Sequence, residues 1–353
     1  MSKKRYNSDF MSREIDDRLE QLEEKLTAVY ANASNEARAT LTDFLKAFEE
    51  EDQKQRLLVE SGQLSDQDYY IWRRNTIIQS GRYKATIDAL TDMLVNTDIA
   101  AMAIVDNELP LVIAQSYNFV KSLGFKAAEE AGISAGTFSV YNARTVQALI
   151  RDNPKLLPAS RVNIPEDKRW NRDRMNTQIT RSILKGDSIS KTADRLQEVT
   201  NMDRNAAIRN ARTSVTAAEN LGRSEAADAI EAEGVPIIEE WSATYDNRTR
   251  DSHLLMDGTT RDENGYFGAG IIAHPLRFPG DPDGDPEEIY NCRCRLSIKL
   301  GKIDHTQDGD LYRQFMEKNH PEDYEALKES ASEIRRKDQE EAAKVRQEEL
   351  RRK

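Results

Sequence analysis

Ile15, Leu19, Leu22, Leu26, Val29 and Ala33 fall at alternating spacings of four and three, with charged residues between them. That is the apolar seam of a coiled coil or helical hairpin, and it predicts a long first helix that needs a partner face. Asp9 and Ser12 are placed to cap it. The seam continues less strictly through Leu41, Leu45 and Phe48 and breaks at Gly62. From Ser65 to Leu149 the pattern predicts further helices, with bulk supplied by Tyr69, Tyr70, Trp72, Ile77 and Ile78. Breaks are expected at Gly81, at Asn107 to Pro110, at Gly124 and between Gly132 and Gly136. Pro154, Pro158 and Pro165 mark a connector in a basic stretch. A helix is expected over Trp170 to Lys185, stopped by Gly186, and a second from Ser188 or Ser190 to about Val199. A third, capped by Asp203, runs through Ala207, Ala211, Val215, Ala218, Leu221 and Ala226 to Gly234. Its small residues suit close helix approach.

The period then changes from about 3.6 to 2. Cys292, Cys294, Leu296, Ile298 and Leu300 share one face of a strand, with Arg293, Arg295, Ser297 and Lys299 on the other. Ile237, Trp241 and Ala243 alternate in the same way over Ile237 to Thr244, so the two segments are expected to pair around a small core. Between them come a polar turn, a brief helix ending at Gly258 and a Gly/Pro/Asp loop over Asp262 to Pro286, too long for a hairpin turn. After Lys302 the chain turns polar. Leu327, Ala331 and Ile334 begin a heptad that fails at Asp338 and Glu341, leaving a charged helical tail.

Composition narrows this picture. Of the 353 residues, 38% are hydrophobic, 32% charged and 7% aromatic, which favours a large surface over one compact globule. The expected fold class is mainly α and extended, with one small α+β module holding a short antiparallel sheet in the C-terminal half. The expected organisation is a helical region at 1–155, a second helical region at 156–235, the α+β module at 236–302 and the tail at 303–353. No apolar run approaches a membrane span and no signal peptide is expected, so synthesis in a cytoplasm is expected. Two cysteines one residue apart do not form a disulfide framework. The net charge of −11 weighs against coating of duplex DNA. Local nucleic-acid or protein contact falls to Arg161, Lys168, Arg169, Arg172 and Arg174; a solvated basic face meeting an acidic neighbour explains the same residues.

His253, Cys292, Cys294 and Asp246 or Asp257 form the candidate metal set, since zinc takes imidazole, thiolate and carboxylate. The spacing matches no standard finger, and cysteines on an apolar strand face equally serve as core residues. His253 with Asp246 or Asp257 is also the one candidate acid–base pair. A metal-dependent or ADP-ribosyltransferase-like enzyme on a helical carrier, and a helical adaptor, are the readings set against a structural one; no catalytic residue is assigned.

The ordered motifs add a resemblance. Ala211, Arg212 and Thr213, then Asn220 to Arg223, then Trp241 to Thr244 with Asp246, Arg248 to Arg250, His253, Asp257 and Gly258, and finally Asn291 to Cys294, together resemble the phage Mu F-like head-morphogenesis family over roughly residues 170 to 300. The resemblance implies a structural minor capsid protein of the virion, placed at or near the portal vertex. It also implies partners among the portal, major capsid or scaffolding proteins, contact with phage DNA, and no obligate cofactor. Arg212, Thr213, Asn220, Arg223, Trp241, Asp246, Arg250, His253, Asp257, Gly258, Asn291, Cys292 and Cys294 become motif positions expected to hold the small module together.

Overall fold

The apolar seam of the first segment forms one unbroken helix, α1 (Phe10–Glu60), in the computed structural model of the chain. The structure describes residues 9–79, 81–133, 140–158, 164–185, 187–300, 307–325 and 327. Asp9 caps α1 by accepting the Ser12 amide hydrogen at 2.8 Å. Gly62, at φ +74°, follows the helix end where a residue with a side chain would be strained. Next come α2 (Asp66–Gln79), α3 (Gly81–Ala131), α4 (Ala143–Asp152), a 3₁₀ turn at Pro154–Leu156, α5 (Ile164–Lys185) and α6 (Ile189–Ala232). The remainder is β1 (Ile237–Ser242), α7 (Asp251–Met256), α8 (Pro286–Ile289), β2 (Arg295–Leu300) and α9 (Asp308–Asn319). Among the described residues, no helix is long and apolar enough to cross a membrane.

Three expected helix breaks are absent. Pro110 lies inside α3, which continues past it with Leu109, Leu111 and Val112 buried, so packing outweighs the lost backbone hydrogen bond. Gly124 does not stop α3 either: a Cβ there would meet the Ile230 side chain at 2.4 Å, so the glycine lets α6 approach. The expected start at Asp203 is also overturned, because α6 runs through it without interruption. The heptad positions Ala331 and Ile334, with the rest of the charged tail, lie outside the described residues.

The chain forms two compact units from interleaved stretches, whereas the sequence suggests four consecutive blocks. One unit contains residues 20–105 and 160–211. Its core joins Leu41, Phe44 and Leu45 of α1 with Ile87, Leu90 and Leu94 of α3, Met175, Ile179 and Ile183 of α5, and Leu196 and Val199 of α6. On the surface of this unit Lys168 pairs with Asp92 at 2.6 Å and Arg172 with Asp88 at 2.9 Å. Arg174 lies 4.1 Å over the Trp170 ring. Arg169 is exposed, and Arg161 lies outside the described residues. Lys168 and Arg172 thus meet acidic side chains of α3.

The same unit holds carboxylates that the sequence does not single out. Tyr30 donates to Asp98 at 2.5 Å, and burial pushes the Asp98 carboxyl up to about 6. Burial also pushes Asp203 up to about 8, reinforced by the charges of Asp98 and Asp167 and opposed by Arg174. An acid that holds its proton more tightly when folded makes stability fall as pH rises from the unfolded value, 3.8, through the folded one. Asp203→Asn is therefore expected to stabilise the chain by about 1–3 kcal/mol at about pH 8.5, with the gain fading towards about pH 4.5. Urea unfolding at the two pH values measures it; a variant less stable than the parent at the higher pH would contradict the assignment.

The other unit contains residues 9–19, 106–158 and 212 onward. Here the later part of α3 packs on the later part of α6 through small residues: a Cβ at Gly222 would stand 2.5 Å from the Ile113 carbonyl oxygen. Buried Asn118 exchanges two hydrogen bonds with the backbone of Tyr141, whose ring stacks on Tyr117 at 3.8 Å. β1 and β2 pair antiparallel in the register Ile237↔Leu300 to Ser242↔Arg295, with Trp241 opposite Leu296. The expected single sheet is present, and the two-residue period has the expected faces: Cys292, Cys294, Leu296, Ile298 and Leu300 are buried, whereas Lys299 is exposed.

Candidate functional site in the two-stranded module

Trp241 is fully buried and its backbone ties β1 to the residues after α7. Its amide donates to Thr259 O at 2.8 Å and its carbonyl accepts from Gly258 N at 2.8 Å, with Gly258 at φ +78°. The indole ring meets the edges of His253 at 5.3 Å and Phe267 at 5.6 Å between centroids. Asp257, two residues before Thr259, accepts from the Ala243 amide at 2.8 Å and the Tyr245 hydroxyl at 2.7 Å. The turn between β1 and α7 is fixed by Asp246, which takes the fork of Arg293 (Oδ1 to Nη2, 2.7 Å) and caps the Arg248 amide. Hydrogen bonding to Arg293 holds the Asp246 carboxyl well below the usual carboxylate range. Arg250 reaches the Tyr290 carbonyl at 2.6 Å, joining the start of α7 to the approach to β2.

These ties deliver His253 to the two cysteines. Nδ1 of His253 lies 3.3 Å from Cys294 Sγ and 3.6 Å from Cys292 Sγ, and all three residues are at most 2% exposed. His253 Nε2 lies 2.9 Å from the Glu288 carboxylate, which also accepts from the Ser252 hydroxyl at 3.1 Å. The Cys294 amide donates to Cys292 Sγ at 3.4 Å. A hydrogen bond from Cys292, then His253, lowers the Cys294 thiol to about 5; Cys292 is held up by that bond and by burial. Asp246 and Asp257, grouped with His253 in the sequence reading, instead serve Arg293 and the Ala243 amide. The acid beside His253 is Glu288, carried by α8 (Pro286–Ile289), which begins where the expected loop ends; an acid a few residues before Cys292 is its one sequence signal.

The remaining motif positions hold β2 on α6. The Asn220 amide donates to the carbonyls of Pro279 at 2.9 Å and Cys294 at 3.1 Å and accepts from the Leu296 amide at 2.8 Å. Thr213 accepts from the Asn291 amide at 2.9 Å, and Asn291 adopts φ +58°, a conformation that asparagine tolerates. Arg212 is half-buried on the same helix. Arg223, 1% exposed, grips Asp9 with both terminal nitrogens at 2.7 and 2.8 Å and meets Glu219 at 3.1 Å and Ser12 Oγ at 3.0 Å. Arg295 joins Glu219 at 3.2 Å. The pairing of Asp9 with Arg223, and the roles of Glu219 and Arg295, are not legible in sequence, which points to Asp9 only as the cap of α1. Nor is the role of Glu239, buried on β1 against Arg261 at 2.6 Å and pushed up to about 8 by burial.

The arrangement can cross-link β2 to α7 and α6, and its histidine and thiols are sealed from bulk solvent. Residues 173–297 match the family described as Phage Mu protein F like protein, which bears out the resemblance carried by the motifs from Ala211 to Cys294. The chain is 23% identical over 301 residues to the minor head protein GP7 of Bacillus phage SPP1, covering 82% of this chain and 86% of that protein. It is also 28% identical over 157 residues to the NAD(+)–arginine ADP-ribosyltransferase EFV of Enterococcus faecalis, covering 41% of this chain and 32% of that protein. No solved structure matches.

Proposed function

We propose that the chain is a phage minor head protein, a structural component of the virion at or near the portal vertex that assists procapsid assembly. The observation that carries the reading is the likeness to a minor head protein over most of both chains, beside a family match over residues 173–297 that includes the motif positions placed above. The geometry supports a structural use of those positions. Trp241, Asn220, Arg223, Asp246 and Asp257 are engaged in holding strands, turns and helices together, and His253 is buried at 1% exposure, where no substrate reaches it.

Partners of this reading are the portal protein and the major capsid or scaffolding protein, met through helical surfaces. DNA contact during packaging or delivery is a secondary role, limited by the net charge of −11 and by the pairing of Lys168 and Arg172 with acids. The ADP-ribosyltransferase likeness covers a minority of both chains and is not accompanied by an open acid or nucleophile among these motif residues. Mass spectrometry of purified procapsids and virions is the test: the chain is expected in procapsids or virions at a copy number well below that of the major capsid protein. Its absence from procapsids and virions alike would refute the proposal.

A further inference from the structure

We infer that His253 Nδ1, Cys292 Sγ and Cys294 Sγ form a zinc site, with Glu288 fixing the histidine from outside. The ligand atoms of the three residues all lie within 4.8 Å of one another. Zinc–sulfur and zinc–nitrogen bonds of about 2.3 and 2.05 Å, opened to a tetrahedral angle, separate nitrogen from sulfur by about 3.6 Å. The observed separation to Cys292, 3.6 Å, matches that value, and the one to Cys294, 3.3 Å, is slightly shorter.

The surroundings point the same way. A histidine that binds zinc through one nitrogen normally gives its other N–H to a carboxylate, which sets the tautomer and the ring direction. Glu288 stands at that second nitrogen, 2.9 Å away, and is itself held by Ser252. With the Nε2 hydrogen committed to Glu288, the Nδ1 lone pair faces the sulfurs. The amide of Cys294 donates to Cys292 Sγ, a bond that a thiolate accepts better than a thiol. A neutral histidine and two thiolates leave zinc without net charge, which suits a buried position. The ion would tie α7 to the segment that leads into β2, so its work is structural, and this inference does not depend on the proposed place of the chain in a head.

The test uses the full chain, stripped with a chelator and titrated with cobalt(II) and then zinc(II). Cys292 and Cys294 are the only cysteines of the sequence, so a thiolate-to-cobalt charge-transfer band in the parent identifies them without any variant. The expected result is one cobalt per chain, with that band and intense tetrahedral visible bands, both lost on adding zinc. Native mass spectrometry is expected to show one zinc per chain. Glu288→Gln is expected to keep the bands and weaken the metal by about 10–100-fold. A folded parent that binds no cobalt, or binds it without a thiolate band, would overturn the inference. Equal metal affinity of the parent and Glu288→Gln would overturn the role given to Glu288.

Discussion

Trp241→Ala is expected to destabilise the chain by about 3–5 kcal/mol, the usual loss for deleting a large buried aromatic. The indole is 0% exposed and fills the space between His253 and Phe267, while its backbone anchors the residues following α7. Against a domain stability of about 5–15 kcal/mol, that loss removes much of the folded population of the unit. Trp241→Phe should recover part of it, because the indole nitrogen has no hydrogen-bond partner among the described residues and its removal leaves nothing unsatisfied. Urea unfolding followed by circular dichroism measures both. A loss below about 1 kcal/mol for the alanine variant would place the tryptophan outside the core.

Arg223→Ala should cost a comparable amount, about 3–5 kcal/mol, for a different reason. Glu219 is 2% exposed and shares its two oxygens between Arg223 and Arg295, so removing one cation leaves a buried carboxylate half compensated. The Asp9 carboxyl, which burial alone would raise, is held at about 2 chiefly by the charge and hydrogen bonds of Arg223, and it would return towards 3.8. Arg223→Lys should recover only part of the loss, since a lysine keeps the charge but not the two-pronged grip on Asp9. Equilibrium unfolding of the two variants decides it. If lysine matched arginine fully, charge alone would account for the site.

Periodicity carried the helical class and the sheet into view because both elements bury one face: the two-residue alternation from Cys292 to Leu300 fixes which side chains go inward. Helix length was harder to read. Gly124 and Pro110 are breakers by local preference, yet both sit within α3, where contacts with distant residues such as Ile230 decide. The site was half legible. His253, Cys292 and Cys294 stand out by type, and Trp241 by its place in the strand. Glu288 is an ordinary surface-type acid in sequence and Asp9 only a helix cap, and they meet His253 and Arg223 across separations of 35 and 214 residues that no local pattern encodes. Asp246 attracted attention as a ligand for the opposite reason, being close in sequence to His253 while its carboxylate faces Arg293.

The clasp of Arg223 on Asp9, with β2 laid against α6, also sets a timetable for synthesis. All of the unit that contains residues 20–105 and 160–211 has been made once residue 211 is added, so it can close while the ribosome is still translating. The other unit must wait for Arg295 and Leu296, and at about 5–20 residues per second that interval is roughly 4–17 s. During it Asp16 of α1 has no Arg295 to pair with, and β1, complete at residue 242, has Trp241 without Leu296 opposite it. A nascent chain in this state carries an unpaired strand edge, the kind of surface that makes incompletely synthesised chains prone to aggregate.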